Sequence, residues 1–221
     1  MKNILIYGAS GHSKMIVDII LKNKEYNIIG YLDSFKPINK TVYGYDIIGD
    51  LDSLPELIAE HSIEGIVIAI GDNYTRQHAY ELISDIVTDI DFVSAVHPSA
   101  VLAHDIIIPR GTVIMAGAVL NADCKIGEFC ILNTLSSLGH DSTMANFSSL
   151  ASGVTIGGNV HIGLNSAICL KAAIIQNVSI GDHTVIGAGS LVLKSVGDHK
   201  LAYGHPVKTI KNREIDSKYY K

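Results

Sequence analysis

Thr155-Ile156-Gly157-Gly158-Asn159-Val160-His161-Ile162-Gly163-Leu164-Asn165-Ser166-Ala167-Ile168 carries an isoleucine at every sixth place. The same register runs backwards through Leu150, Met144, Leu138, Leu132, Ile126, Leu120, Ile114, Ile108 and Leu102 to Val96, and forwards through Ile174, Ile180 and Ile186 to Val192. Every one of these 17 positions is a branched aliphatic residue or Met. A period of six belongs neither to an α-helix nor to separate alternating hairpins. Short flat strands joined by corners into a triangular coil account for it, with each anchor pointing inward and successive coils stacking one continuous apolar column.

A second register supports the first. Four residues after each anchor the side chain is small or β-branched, as at Thr112, Ala118, Cys124, Cys130, Ser136, Ser148, Val160 and Thr184, and only Ile106 is larger. Cys124 and Cys130 therefore read as buried small hydrophobes rather than nucleophiles; Cys169, one place after an anchor, also reads as structural. Glycine often follows the anchor, at Gly127, Gly139, Gly157, Gly163, Gly181 and Gly187, where the expectation is a tight corner that needs glycine's backbone freedom. The pattern resembles the hexapeptide-repeat transferases. That resemblance implies a left-handed parallel β-helix over 96–197, three hexapeptides to a coil, in a homotrimer that binds acyl-CoA between neighbouring helices.

Residues 1–95 lack the repeat. Asn3–Tyr7 reads as a buried strand running into Gly8-Ala9-Ser10-Gly11-His12, a helix follows over 13–23, and a second strand over 27–32 ends at Asp33. A helix near 54–61, a strand over 66–70 ending in Gly71-Asp72-Asn73, and a helix bearing Arg76 continue the alternation. Such alternation implies a parallel sheet of Rossmann type, with ligands at the carboxyl ends of its strands. The glycine loop lacks the full dinucleotide fingerprint. A helix N-terminus after it still suits a phosphate, and Asp33 suits a ribose hydroxyl. Residues 198–221 form a C-terminal tail.

Composition narrows the class. With 48% apolar and 18% charged residues the chain can bury a core, and a net charge of −5 lacks the basic footprint of a nucleic-acid binder. Residues 1–95 hold 7 basic and 14 acidic side chains, against 10 and 8 in 96–221, which makes the second part the better host for an anion. Three cysteines make no disulfide framework. No apolar run reaches the roughly 18 residues of a membrane span, and Gly8 breaks the short N-terminal one, so a soluble, cytoplasmic protein is expected.

Among 10 histidines, His140 stands apart, in Asn133-Thr134-Leu135-Ser136-Ser137-Leu138-Gly139-His140-Asp141. Two places past an anchor, it should point away from the coil, with Asp141 beside it to raise its basicity. Acyl transfer needs a base of this kind. The Gly8–His12 loop, the I-G-D-N-x-x-R run at 70–76, N-T-x5-H-D at 133–141 and the closing Gly204-His205-Pro206-Val207-Lys208 together resemble the NeuD/PglD sugar O/N-acyltransferase family over nearly the whole chain.

That resemblance implies acetyl transfer from acetyl-CoA to a nucleotide-linked amino sugar, of the UDP-4-amino-4,6-dideoxy type, or to a sialic acid hydroxyl. It implies His140 as general base and Asp141 as its acidic partner. Ser10, Gly11, His12, Asp33, Ser34 and Gly71 match positions that bind the nucleotide sugar. Gly158, Leu170 and Ala188 match positions that contact acetyl-CoA, and Asn133 helps to shape the same groove. Two departures stand out. Ser149 occupies the place of a histidine that contacts the thioester region, and Met144-Ala145 replaces an I-G corner, so the coil is expected to be altered there. A zinc enzyme of the γ-carbonic-anhydrase type would need three converging histidines. The spacing here offers no such motif, and no metal is expected. A nicotinamide oxidoreductase is disfavoured by the incomplete fingerprint, and a catalytically idle scaffold remains the bland alternative.

Overall fold

The computed structural model describes residues 1–104 and 106–219. The chain begins with β1 (Lys2–Tyr7), α1 (Gly11–Asn23), β2 (Tyr26–Leu32), β3 (Thr41–Val42), β4 (Tyr45–Gly49), α2 (Leu54–His61), β5 (Ile63–Ile68), α3 (Asn73–Ile86) and β6 (Asp91–Phe92). Their sheet runs in the order β3-β4-β2-β1-β5-β6. All its pairs are parallel except the β3–β4 hairpin, which the sequence pattern did not reveal. This is the Rossmann-like arrangement. After β2 and β4 the chain crosses back to lay β5 on the other side of β1, so strand order reverses between β1 and β5. The loops that follow those two strands, at 8–10 and 69–72, flank the crevice where such sheets bind ligands.

From Ala95 the chain coils. A first face stacks Ala95–Val96, Val113–Ile114, Ile131–Leu132, Ser149–Leu150, Ala167–Ile168 and Val185–Ile186. A second stacks Val101–Leu102, Val119–Leu120, Ser137–Leu138, Thr155–Ile156, Ala173–Ile174 and Leu191–Val192. A third stacks Lys125–Ile126, Thr143–Met144, His161–Ile162 and Ser179–Ile180. Every partner lies 18 residues away and parallel, as Ile131 with Ser149 and Ile126 with Met144. The fold is the left-handed β-helix. The anchors from Ile114 to Val192 form one core together with Cys124, Cys130, Val154, Val160, Ala172 and Val178. Met144 is buried in register, so the coil is unaltered there, contrary to expectation. Methionine's flexible chain fills the anchor site without moving the backbone. A hairpin, Lys200–Gly204 with Val207–Asn212, extends the first face.

The corners correct another expectation. Positive φ falls three places after the anchor, at Phe129, Leu135, Asp141, Phe147, Asn159, Asn165, Lys171 and His183 among others. The glycines directly after the anchor serve close approach instead. A Cβ on Gly157 would lie 2.6 Å from the Gln176 N of the next coil, and one on Gly139 would overlap the Gly157 carbonyl.

Each left-handed corner residue donates its N–H to the coil before it, as Phe147 to the Glu128 carbonyl, and turns its own carbonyl outward. On the corner between the third and first faces those carbonyls meet the N-terminal unit. Arg76 Nε donates to Phe129 O and Nη2 to Phe147 O, both at 2.9 Å. Asn73 Nδ2 donates to Asn165 O at 3.2 Å and to Ser166 O at 3.1 Å. The remaining Arg76 donors go to Ile70 O, Gly71 O and Asn73 Oδ1. The guanidinium is 0% exposed, and these bonds occupy its five donors. Phe129 and Phe147 stack beside it at 4.9 Å, and Tyr80 and Phe92 close the cluster. Truncating Arg76 leaves buried carbonyls on both units without a donor, each at a cost of about 1–3 kcal/mol. Arg76→Met is expected to lower unfolding free energy by roughly 3–5 kcal/mol in urea titrations. A loss below about 1 kcal/mol would mean that the aromatic cluster alone holds the joint.

Candidate active site

The switch-point loops and the first face of the coil enclose a cleft of about 370 Å³, lined by Ser10, His12, Met15, Gly71, Asp72, Ile131, Asn133, Ser149, Leu150 and Ala151. The fold thus brings Ser10, His12 and Gly71 together with Asn133 and Ser149. Gly11, Asp33 and Ser34 do not line it. Ser10 is the N-cap residue of α1 with its hydroxyl uncommitted to the cap, and the first turn of that helix carries no acidic residue. Its N-terminal N–H groups and dipole therefore present an uncompensated positive end beside the cleft. Gly8, at φ 98°, makes the turn possible; a Cβ there would press on Ala69 O at 3.2 Å.

Asp33 organises that turn. Its Oδ2 accepts from Ala9 N at 2.9 Å and from Lys36 Nζ at 3.2 Å, and its Oδ1 from the Phe35 and Lys36 N–H groups at 3.0 Å. Burial alone would raise its carboxyl, but these bonds and the Lys36 charge hold it below the ordinary carboxylate range. A ribose hydroxyl would have to displace Lys36 to reach it. The expected free acceptor is a loop brace, because the turn it closes needs those same oxygens. Ser34 sits behind it, 3.4 Å from the Tyr7 hydroxyl.

His12 Nε2 is buried without a hydrogen-bond partner among the described residues. Burial, with a smaller push from the nearby Arg76 charge, lowers its pKa to about 4. The imidazole is neutral at physiological pH, and its unpaired Nε2 is buried beside the cleft.

The corner between the first and second faces continues the cleft. Ala151 lines both it and a larger cavity of about 720 Å³ formed by Cys169, Leu170, Val185, Gly187, Ala188, Leu201 and the chain from Asn212 to Tyr219. Leu170 and Ala188 thus share one wall, and their N–H groups have no protein acceptor among the described residues. Cys169 stands on that wall as well, its thiol pushed up to about 11 by burial, so it remains protonated.

His140 lies on a different corner, between the second and third faces. It points outward, with its side chain 70% exposed and Nδ1 2.6 Å from Asp141 Oδ2. A carboxylate only accepts, so Nδ1 carries the hydrogen and Nε2 keeps its lone pair. Gly158, one coil on, forms the floor under the ring; a Cβ there would lie 2.5 Å from Cε1. Cys124 and Cys130 turn inward, where each thiol lies against a corner carbonyl, Gly139 O at 2.8 Å and Ala145 O at 3.2 Å. Burial raises the Cys130 thiol above its ordinary range. Among the described residues no group of three or more His, Cys, Asp or Glu is placed to hold a metal ion. None of the described helices is long and apolar enough to cross a membrane.

Residues 3–83 match the family model described as the PglD N-terminal domain. Over its length the chain is similar to a solved histidine-to-asparagine variant of perosamine N-acetyltransferase from Caulobacter crescentus, in complex with CoA and GDP-perosamine. The TM-score is 0.89 and the identity 31%, covering 96% of this chain and 98% of that one. The chain belongs to the NeuD/PglD-type sugar acyltransferase family. The acetyltransferase domain of PglB from Neisseria gonorrhoeae FA1090, in complex with acetyl coenzyme A, is another similar structure, with a TM-score of 0.85 and 26% identity over 94% of this chain and 98% of that one. UDP-N-acetylbacillosamine N-acetyltransferase of Bacillus subtilis (strain 168) is 32% identical over 114 residues; the matched stretch spans 51% of this chain and 51% of that protein.

In this NeuD/PglD-type chain, the motif residues Asn73 and Arg76 take their role from the coil carbonyls opposite them, which the sequence does not reveal. Ala151 and the 213–219 segment had no sequence signal beyond the cationic bias of the second part. His12 gives a direct check. Its folded pKa of about 4 lies below the ordinary 6.5, so as pH falls between these values the unfolded chain takes up a proton that the fold refuses. Histidine NMR is expected to show His12 neutral down to about pH 4, with stability declining as pH drops through that window. A midpoint near 6.5 would place the ring in solvent.

Proposed function

We propose that the chain is an acetyl-CoA-dependent N-acetyltransferase acting on the amine of a nucleotide-linked amino sugar. The observation that carries this reading is His140, outward-facing, with Nδ1 held by Asp141 and Nε2 open above Gly158. The relatives named above support the substrate class, since their names specify acetyl transfer to perosamine and bacillosamine, and their complexes hold CoA or its acetyl ester.

The uncharged amine attacks the acetyl carbonyl of the thioester. The C–N bond forms as His140 Nε2 takes the amine proton; the tetrahedral intermediate then breaks its C–S bond, and the departing CoA sulfur receives that proton. Asp141 keeps the tautomer and stabilises the imidazolium. The acceptor's phosphates sit at the N-terminus of α1 among Ser10, Gly11 and His12, with Gly71 across the crevice and Asp33 and Ser34 bracing the loop. Ser149 and Asn133 form the wall nearest the acetyl group, where the Ser149 hydroxyl donates the hydrogen bond that a histidine would otherwise supply. The pantetheine arm runs past Leu170 and Ala188, whose N–H groups await acceptors.

Cleft and base stand on separate corners of one chain, and a whole face lies between them. A second copy closes the site, as in a homotrimer with each site shared by neighbours. Both co-substrates are cytoplasmic metabolites, and the reaction belongs in that compartment.

The test is acetyl-CoA consumption across UDP-, dTDP- and GDP-linked amino sugars and free sialic acid, the UDP sugars first. Turnover of one nucleotide amino sugar is expected, with kcat reduced about a hundredfold or more by His140→Ala. Turnover of sialic acid alone would assign O-acetylation instead. Full activity in His140→Ala would remove the base. Gly158→Ala is expected to tilt the imidazole off its floor and to lower kcat roughly tenfold or more, because a displaced base misses the transferred proton.

A further inference from the structure

The cavity that holds Leu170 and Ala188 has a roof that the proposed chemistry leaves without a role. After the terminal hairpin the chain turns back over it, and Arg213, Glu214, Ser217, Lys218 and Tyr219 line the opening. This strap is fixed at both ends. Arg213 Nη1 donates to His183 O at 2.8 Å, the next corner carbonyl in the column that Arg76 and Asn73 engage, and Tyr219 OH accepts from Asn73 N at 3.1 Å. The Arg213 guanidinium lies 5.9 Å from the Tyr219 ring centre. Its hydrogen bonds among the described residues, to His183 O and Ser217 O, use two of five donors. The surrounding chain is cationic, with seven Lys and Arg against three Asp and Glu over 194–221.

Coenzyme A is asymmetric, a thioester at one end and three phosphate groups at the other. The thioester must reach the cleft of Ser10, His12 and Ser149, which joins the cavity at Ala151. The corner climbs about 5 Å per coil from Ala151 past Leu170 to Ala188. The phosphate end therefore falls under the strap. Resting on the acetyl-CoA reading above, we propose that residues 213–219 are a phosphate clamp, in which Arg213 and Lys218 bind the nucleotide end of the coenzyme. Guanidinium supplies the paired, charge-assisted donors that phosphate oxygens accept, and Lys218 adds a mobile point charge.

Calorimetric titration of the full chain with CoA and with 3′-dephospho-CoA tests the clamp without any acceptor sugar. Arg213→Gln and Lys218→Ala are each expected to weaken CoA binding, by about tenfold and about threefold respectively, with Tm unchanged for Lys218→Ala. Arg213→Lys should restore part of the loss, and binding by the wild type should weaken with rising salt. The 3′-dephospho arm tells which phosphate is held: if the variants weaken CoA alone, it is the 3′-phosphate, and if both ligands, the pyrophosphate. CoA affinity within twofold of wild type in both Arg213→Gln and Lys218→Ala overturns the clamp. Wild type that binds CoA tightly yet acetylates no sugar would leave the clamp standing and overturn the assigned reaction. Wild type that fails to bind CoA overturns both.

Discussion

A buried guanidinium donating to backbone and amide oxygens holds the two halves of this protein together. Arg76 comes from the first turns of α3 and places its donors on backbone oxygens of both units: Ile70 and Gly71 in the switch-point loop, Phe129 and Phe147 on successive coils. Burying such a charge is tolerable only when every donor is met, and a left-handed corner is a rare source of acceptors in a row. Each corner residue turns its carbonyl outward at one-coil intervals. Asn73 takes the next carbonyl in the column and Arg213 the one after. The switch-point loop is thereby bolted to the coil with the register of the repeat itself.

The three corners of the coil divide the labour. One is consumed in that joint. The next, with Ala151, Leu170 and Ala188, leaves a cavity that joins the cleft beside the switch-point loops at Ala151. The third carries His140 and Asp141 in solvent, over a glycine floor. Each half of the proposed site thus stands on a rigid scaffold, with His140 on one corner and the cleft beside another.

The coil was legible in the sequence because its physics is one-dimensional. An inward anchor every six residues and a small residue four later are local rules, and they placed Cys124 and Cys130 inside and His140 outside. The glycines misled. Gly139 and Gly157 were expected to bend the chain, whereas they keep adjacent coils from colliding, and the bend falls on residues as large as Phe129 and Leu135. Pattern alone cannot distinguish steric room from backbone freedom when both select glycine. Asp33 was misjudged for a related reason. Its place after β2 was right, but its partners Ala9 and Lys36 depend on how the turn closes. Arg76 was hidden further still, since a buried arginine is explained only by oxygens 53 and 71 residues away.

In the proposed homotrimer, cleft and base belong to different copies. Two chains test it, one carrying His140→Ala and the other carrying Ser10→Trp, which fills the cleft at an exposed cap position. Each alone should be inactive. Co-assembled in equal amounts, they are expected to recover about a quarter of wild-type turnover, because one neighbour pair in four joins an intact cleft to an intact base. No recovery in assemblies shown to contain both chains would contradict the account, for each copy would then be building its site from its own residues.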